Sequence, residues 1–222
     1  MTVAAQFIQF ALTQNVLKFG AFKTKAGRIS PYFFNAGLFS DGASLLALAN
    51  AYADVLLEKR SEGFEFDLLF GPAYKGITLA SATAMALAQK GLNTPYAYNR
   101  KEAKDHGEGG VLVGADMAGK RVVIIDDVIS AGTSVRESVR MIQAAGATPA
   151  AVLIALDRME KSGTAEDVGQ YSAVQSVQQE FDLPVFAIAT LADLMAFLHE
   201  SDNQQLVQHK ANVAQYREKY GI

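Results

Sequence analysis

The order of apolar and polar positions divides the chain into alternating helix and strand patterns. Apolar residues recur at helical spacing over about 4–18, and again over 44–60 in "SLLALANAYADVLLEKR", where Asp41 or Ser44 is placed to cap the helix. Between them, "FKTKAGRISPYFFNAGLF" (22–39) is punctuated by Gly27, Pro31 and Gly37 and predicts short strands and turns. From residue 66 onward the period alternates. Short apolar runs at 66–76 (breaking into a Gly/Pro loop), 95–99, 121–128, 150–158 and 183–190 read as strands. Helical spacing at 77–91, 133–146 and 172–181 separates them, and two more helix patterns close the chain at 191–199 and about 203–219. The stretch 160–175 reads as a loop and helix start with no chemistry of its own.

Strands alternating with helices predict an α/β fold whose parallel sheet is covered on both faces. Ligands of such sheets bind beyond the carboxyl ends of the strands. Four loops of interest follow strands: 71–76, 100–110, 126–134 and 157–161. They are expected to open on one edge of the sheet. No internal repeat or low-complexity linker divides residues 1–222, which predicts a single domain.

Composition narrows the functions open to it. Half of the 222 residues are apolar, enough for a sizeable core, and the net charge of −3 gives no global field to recruit nucleic acid or an acidic membrane. Anion binding must come from local clusters. With 0 Cys there is no disulfide, thiolate metal site or Cys nucleophile. The first twenty residues lack a basic n-region, and no uninterrupted apolar run is long enough to span a bilayer. A cytoplasmic protein is expected.

The chemistry concentrates in "VVIIDDVISAGTS" (122–134). A buried strand ends in two adjacent carboxylates, Asp126 and Asp127. A loop of small and hydroxyl residues then enters a helix. Helix N-termini expose unpaired N–H groups and the positive end of the dipole, and small residues admit a phosphate to that backbone. The carboxylates want the opposite partner, sugar hydroxyls or a hydrated Mg²⁺. A phosphorylated sugar satisfies both halves. The plainer alternative is that the Asp pair merely ends the strand, with one residue capping the helix. Nearby, "GADMAGKR" (114–121) fits G-x-x-x-x-G-K. Arg121 stands where that motif needs Ser or Thr, and the segment leads into a strand instead of a helix, so a nucleotide triphosphatase is rejected.

An apolar run, two acids and an apolar-Ser-Ala-Gly-Thr loop resembles the signature of type I phosphoribosyltransferases. "KAGRISPYFFNAG" (25–37), "FGPAYKGI" (70–77) and "YNRKEAKDHGEGG" (98–110) narrow the resemblance to the orotate phosphoribosyltransferases of bacteria and fungi, over nearly the whole chain. The resemblance implies the type I phosphoribosyltransferase fold: a central parallel sheet flanked by helices, with a small N-terminal hood formed largely by about 1–40 on a core of about 41–222. It implies transfer of phosphoribose from 5-phospho-α-D-ribose 1-diphosphate (PRPP) to orotate, giving orotidine 5′-monophosphate (OMP) and diphosphate on the route to UMP. It also implies Mg²⁺, held through PRPP and water near Asp126 and Asp127 with no direct protein ligand, and a homodimer whose 100–110 lid reaches the neighbouring subunit's site.

Carried over residue by residue, the resemblance assigns Asp126 and Asp127 to the ribose hydroxyls and the reacting centre. Val128, Ile129, Ser130, Ala131, Gly132, Thr133 and Ser134 take the 5′-phosphate, and Ser130 also approaches orotate. Tyr74 and Lys75 take the diphosphate, with Gly71 and Gly76 letting the backbone come close. Arg100, Lys101, Lys104 and His106 form a charged lid over it, with Lys104 and His106 assigned to catalysis; a solvated surface loop is the plainer reading of the same residues. Lys25 contacts PRPP. Phe33 and Phe34 frame the pyrimidine, or one of them serves the core. Arg158 pairs with the carboxylate of orotate by two parallel bonds, or else forms a surface ion pair with Asp157 or Glu160. Two alternatives remain: a purine phosphoribosyltransferase, which shares the 122–134 signature, and a PRPP-binding regulator of the same fold, which should add a DNA-binding segment or a basic face, neither of which is seen in this sequence.

Overall fold

The computed structural model describes residues 1–104 and 110–222, and side chains outside 103–110. The chain opens with helix α1 (Val3–Thr13), capped by the Thr2 hydroxyl. It is shorter than the periodicity suggests. Asn15 adopts a left-handed conformation (φ 57°), and the Asn15 and Val16 N–H groups donate back to Leu12 O and Ala11 O. This is the glycine-type helix stop with Asn in the glycine's place. The released residues form an antiparallel hairpin, β1 (Leu17–Lys23) with β2 (Ile29–Phe34), followed by a short 3₁₀ turn at Ala36–Leu38.

Helix α2 (Gly42–Ser61) starts with a reciprocal capping box between Asp41 and Ser44, so both expected caps are used. Then come β3 (Leu68–Gly71), α3 (Lys75–Gln89), β4 (Tyr96–Lys104), β5 (Gly110–Gly114), β6 (Arg121–Asp126), α4 (Thr133–Ala144) and β7 (Thr148–Asp157). A small hairpin, β8 (Lys161–Gly163) with β9 (Val168–Ser172), precedes α5 (Ala173–Phe181), β10 (Val185–Thr190), α6 (Leu191–Glu200), α7 (Gln204–Val207) and α8 (Lys210–Tyr220). Two expected loops are therefore partly strand. Residues 100–104 extend β4 and pair antiparallel with β5, and residues 161–172 form the β8–β9 hairpin. Both lie at the periphery, where polar side chains on both faces give no apolar alternation to read.

The main sheet has the order β10-β7-β6-β3-β4-β5, parallel except for β5 at its edge. Its middle strand β6 is buried on both faces. Val123 and Ile125 join the core shared with α1, α2, α3, α6 and α8, while Val122 and Ile124 join the one under α4 and α5. Burial on both sides explains the unbroken apolar run before Asp126. The carboxyl ends of β3, β6 and β7 lie side by side, as the alternation predicts. No helix among the described residues is long and apolar enough to cross a membrane.

Candidate active site

Two strand-to-helix connections line a cleft of about 380 Å³ at that edge: residues 72–75 after β3, and Asp126 to Val135 after β6. The first is held down by a backbone N–H of Ala73 that donates to Asn99 Oδ1 on β4 (2.9 Å). Gly71 and Gly76 are needed for packing, because a Cβ on Gly71 would overlap the Gly76 carbonyl, and one on Gly76 would meet the Pro72 ring and the Ile125 carbonyl. The 71–76 loop is folded back on itself against the end of β6.

Asp126 and Asp127 are both nearly buried, 9 % and 8 % exposed. Three contacts fix the corner between them. Tyr52, fully buried on α2, donates its hydroxyl to the Asp126 carbonyl (2.7 Å). The Asp127 N–H donates to Asp126 Oδ1 (2.9 Å), and the Ser134 hydroxyl donates to Asp126 Oδ2 (3.0 Å). Lys75 Nζ reaches across the cleft to Asp127 Oδ2 (2.7 Å). Burial first, and the Asp127 charge second, push the Asp126 carboxyl up to about 6. Two adjacent carboxylates are thus handled differently: one meets a lysine, the other is held at a raised affinity for its proton.

Behind the acids, the α4 N-terminus has no side-chain cap. Its cap position is Gly132, at φ 74°. The carbonyl of Ala131 accepts from Arg136 Nη1 (2.7 Å), and Arg136 Nε is in turn paired with Glu180 (2.7 Å), which fixes the loop from outside. The first N–H groups of α4, with the hydroxyls of Ser130, Thr133 and Ser134 beside them, form a ready anion cradle. No cluster of three or more His, Cys, Asp or Glu among the described residues could cage a metal. The Asp pair suits a cation that keeps most of its own water and binds mainly through phosphate oxygens, which is the habit of Mg²⁺.

The structure brings together Tyr74, Lys75, Asp126, Asp127 and residues 128–134 of the expected set. Lys101 joins them through the Tyr74 ring, its Nζ 4.9 Å from the centroid. Arg100 is half-buried on β4, and Lys104 ends that strand. His106 lies outside the described residues. Lys25 sits on the exposed turn between β1 and β2, away from the cleft lining. Strand alternation sends the Phe34 ring into the core, 6.2 Å from Phe7, and leaves Phe33 39 % exposed against Phe22. Of the two rings, only that of Phe33 reaches the surface. Arg158, at the end of β7, is paired with Glu160 (Nη2–Oε1 2.6 Å). Tyr52, Asn99 and Arg136 join the site without a sequence signal. Tyr52 reads in the sequence as one more apolar-face position of a helix, and nothing in its neighbourhood marks its hydroxyl as aimed at a strand end.

Residues 42–193 match the family model described as the phosphoribosyl transferase domain. The chain is 67 % identical over 216 residues to the orotate phosphoribosyltransferase of Polynucleobacter necessarius subsp. necessarius, covering 97 % of this chain and 96 % of that one. The chain belongs to the orotate phosphoribosyltransferase family. A second orotate phosphoribosyltransferase, from Cupriavidus metallidurans, is 65 % identical over 220 residues, covering 99 % of this chain and 96 % of the relative. The crystal structure of the orotate phosphoribosyltransferase of Francisella tularensis superposes with a TM-score of 0.84 at 42 % identity, covering 98 % of this chain and all 100 % of that one. The type I phosphoribosyltransferase fold accounts for the cleft: the family signature at 122–134 is the segment that carries both the acids and the uncapped helix.

Proposed function

We propose that this chain transfers the 5-phosphoribosyl group of PRPP to orotate, releasing diphosphate and forming OMP for pyrimidine nucleotide synthesis. The observation that carries the reading is the pairing, within one loop, of a buried carboxylate pair with an uncapped helix N-terminus. The first half fits sugar hydroxyls and the second fits a phosphate.

Breaking the bond from the anomeric carbon to diphosphate builds positive charge on the ribose and negative charge on the leaving group. Asp126 and Asp127 accept hydrogen bonds from the ribose hydroxyls and stabilise the cationic ring electrostatically, with no need for a covalent intermediate. Residues 128–134 hold the 5′-phosphate at the α4 N-terminus. Lys75, Arg100, Lys101, Lys104 and His106 neutralise the leaving diphosphate, with Lys25 added from the β1–β2 turn, and the Tyr74 hydroxyl donates a hydrogen bond to it. Phe33, the backbone of Phe34, Ser130 and Arg158 place orotate, the guanidinium taking its carboxylate. Bound Mg²⁺ would supply further charge neutralisation on the diphosphate, near Asp126 and Asp127.

The finer features of the proposal follow the family. Residues 1–222 act as one domain, with a hood of about 1–40 over a core of about 41–222. The enzyme works in the cytoplasm as a homodimer, and the lid that includes 100–110 reaches the partner's site and excludes water. The test is the absorbance of orotate in the presence of PRPP and Mg²⁺. Its loss is expected. A stable orotate signal alongside turnover of hypoxanthine or adenine would overturn the assignment.

A further inference from the structure

Arg158 does not stand alone at the end of β7. Its Nε and Nη2 both donate to a single oxygen, Glu160 Oε1, at 2.9 and 2.6 Å. The same oxygen accepts the Tyr32 hydroxyl at 3.2 Å. Nη2 also donates to Ser30 Oγ (3.2 Å), and the guanidinium carbon lies 5.0 Å from the Tyr32 ring centroid. Tyr32 and Ser30 are buried, so this side of the arginine is clamped by rigid groups of β2. Glu160 is fixed by its own turn. Asp157 Oδ1 accepts the Met159 N–H (2.8 Å), Met159 is left-handed (φ 49°), and the Ile222 N–H donates to the Met159 carbonyl (3.0 Å).

A guanidinium offers a carboxylate two forked edges, the side-on edge of Nε with Nη2 and the end-on edge of Nη1 with Nη2. Glu160 occupies the side-on edge. Nη2 is already shared between Glu160 and Ser30, and among the described residues Nη1 makes no hydrogen bond, so the two Nη1 N–H groups are the ones that can meet an incoming carboxylate. We infer that Glu160 is a positioning residue: its carboxylate locks the Arg158 guanidinium so that the Nη1 end faces the acceptor base and selects a base bearing a carboxylate. The inference rests on the proposed reaction and deepens it. It assigns the choice of orotate over uracil to the Arg158–Glu160–Tyr32 group as a unit. Glu160 also offsets the charge of Arg158, so selection depends on the geometry of the fork more than on a bare positive charge.

The test is steady-state kinetics on three variants, with melting temperature as the fold control. Glu160→Ala is expected to raise the orotate KM by roughly tenfold, to leave the PRPP KM within about twofold, and to narrow the preference for orotate over uracil. Glu160→Gln keeps an acceptor oxygen at the same reach and is expected to stay within about threefold of the wild type. Glu160→Asp keeps the charge but draws it back by one methylene. It is expected to behave like the alanine variant, and it serves where alanine does not fold. An unchanged orotate KM in the alanine and aspartate variants, equal rises in both substrates' KM, or a glutamine variant as impaired as alanine would each overturn the role of Glu160. A wild-type enzyme that fails to consume orotate would overturn the proposed reaction itself, and this inference with it.

Discussion

Lys75 Nζ lies 2.7 Å from Asp127 Oδ2, joining the helix start after β3 to the strand end of β6 across the cleft. The lysine is half exposed and the carboxylate almost buried, so the pair places a cation at the rim of an otherwise acidic floor. In the proposed reaction that arrangement would give the diphosphate a partner beside the carboxylates assigned to the ribose. Replacing Lys75 by Met is expected to weaken PRPP binding by tenfold or more, because a charge-assisted contact to phosphate and the counter-ion of Asp127 are lost together. Titration with PRPP in the presence of Mg²⁺ measures this. Unchanged affinity would remove Lys75 from the site.

Asp126 makes the opposite kind of prediction. Its carboxyl is raised to about 6, above the usual carboxylate value of about 3.9, so the folded protein holds this proton more tightly than the unfolded chain. The sign follows. Stability from this group is greatest below about pH 4 and is lost as pH rises through about 6. Asp126→Asn removes the ionisation; its amide oxygen can still accept the Asp127 N–H, and its NH2 can donate to the Ser134 hydroxyl. It is expected to raise the melting temperature at neutral pH by a few degrees, for a gain of up to about 2 kcal/mol, and to flatten the stability curve between about pH 4 and 6. Turnover should fall by about a hundredfold or more, since the ribose loses an ionised partner. In the wild type, kcat/KM should drop on the acid side with an apparent pKa near 6.

The glycines of the 71–76 loop give a purely steric test. Gly71→Ala would drive its new methyl into the Gly76 carbonyl, so the loop must open. A loss of about 2 kcal/mol or more in urea unfolding, with PRPP binding weakened, is expected. Gly91→Ala is the control. A Cβ there meets nothing within 4 Å, and only its positive φ of 88° is penalised, at about 1 kcal/mol, with PRPP binding intact.

Arg158→Lys separates the two substrates. Lysine keeps the charge but has no planar fork, so use of orotate should fall by at least about tenfold while PRPP affinity stays within about twofold. Steady-state kinetics with PRPP titration distinguishes this from a general loss. Equal losses would place Arg158 outside the base site.

Much of the candidate site is legible in the sequence, and the reason is local. Asp126, Asp127 and the Ser130–Ser134 loop are contiguous, and their residue types carry the chemistry wherever the strand places them. The sheet alternation then placed them at the edge shared with Lys75. What could not be read depends on contacts far apart in sequence. Tyr52 supports the Asp126 carbonyl from 74 residues away, and Tyr32 meets Glu160 from 128 away. The end of α1 at Thr13 is invisible in the periodicity, because Asn15 in a left-handed turn looks like an ordinary polar helix residue in the pattern. The polar strand segments at 100–104 and 161–163 carry no apolar period to mark them. Phe33 and Phe34 are equivalent by residue type, but strand alternation turns one into the core and the other outward.

The central claim is the identity of the base joined to the ribose, and a single competition experiment tests it most directly. The enzyme is given equal concentrations of orotate, uracil, adenine and hypoxanthine with PRPP and Mg²⁺, and the nucleotides formed are separated and identified by mass. Arg158, held by Glu160 at the end of β7, predicts OMP as the dominant product and consumption of orotate alone over many turnovers. A purine nucleotide, or UMP formed directly from uracil at a comparable rate, would contradict the account.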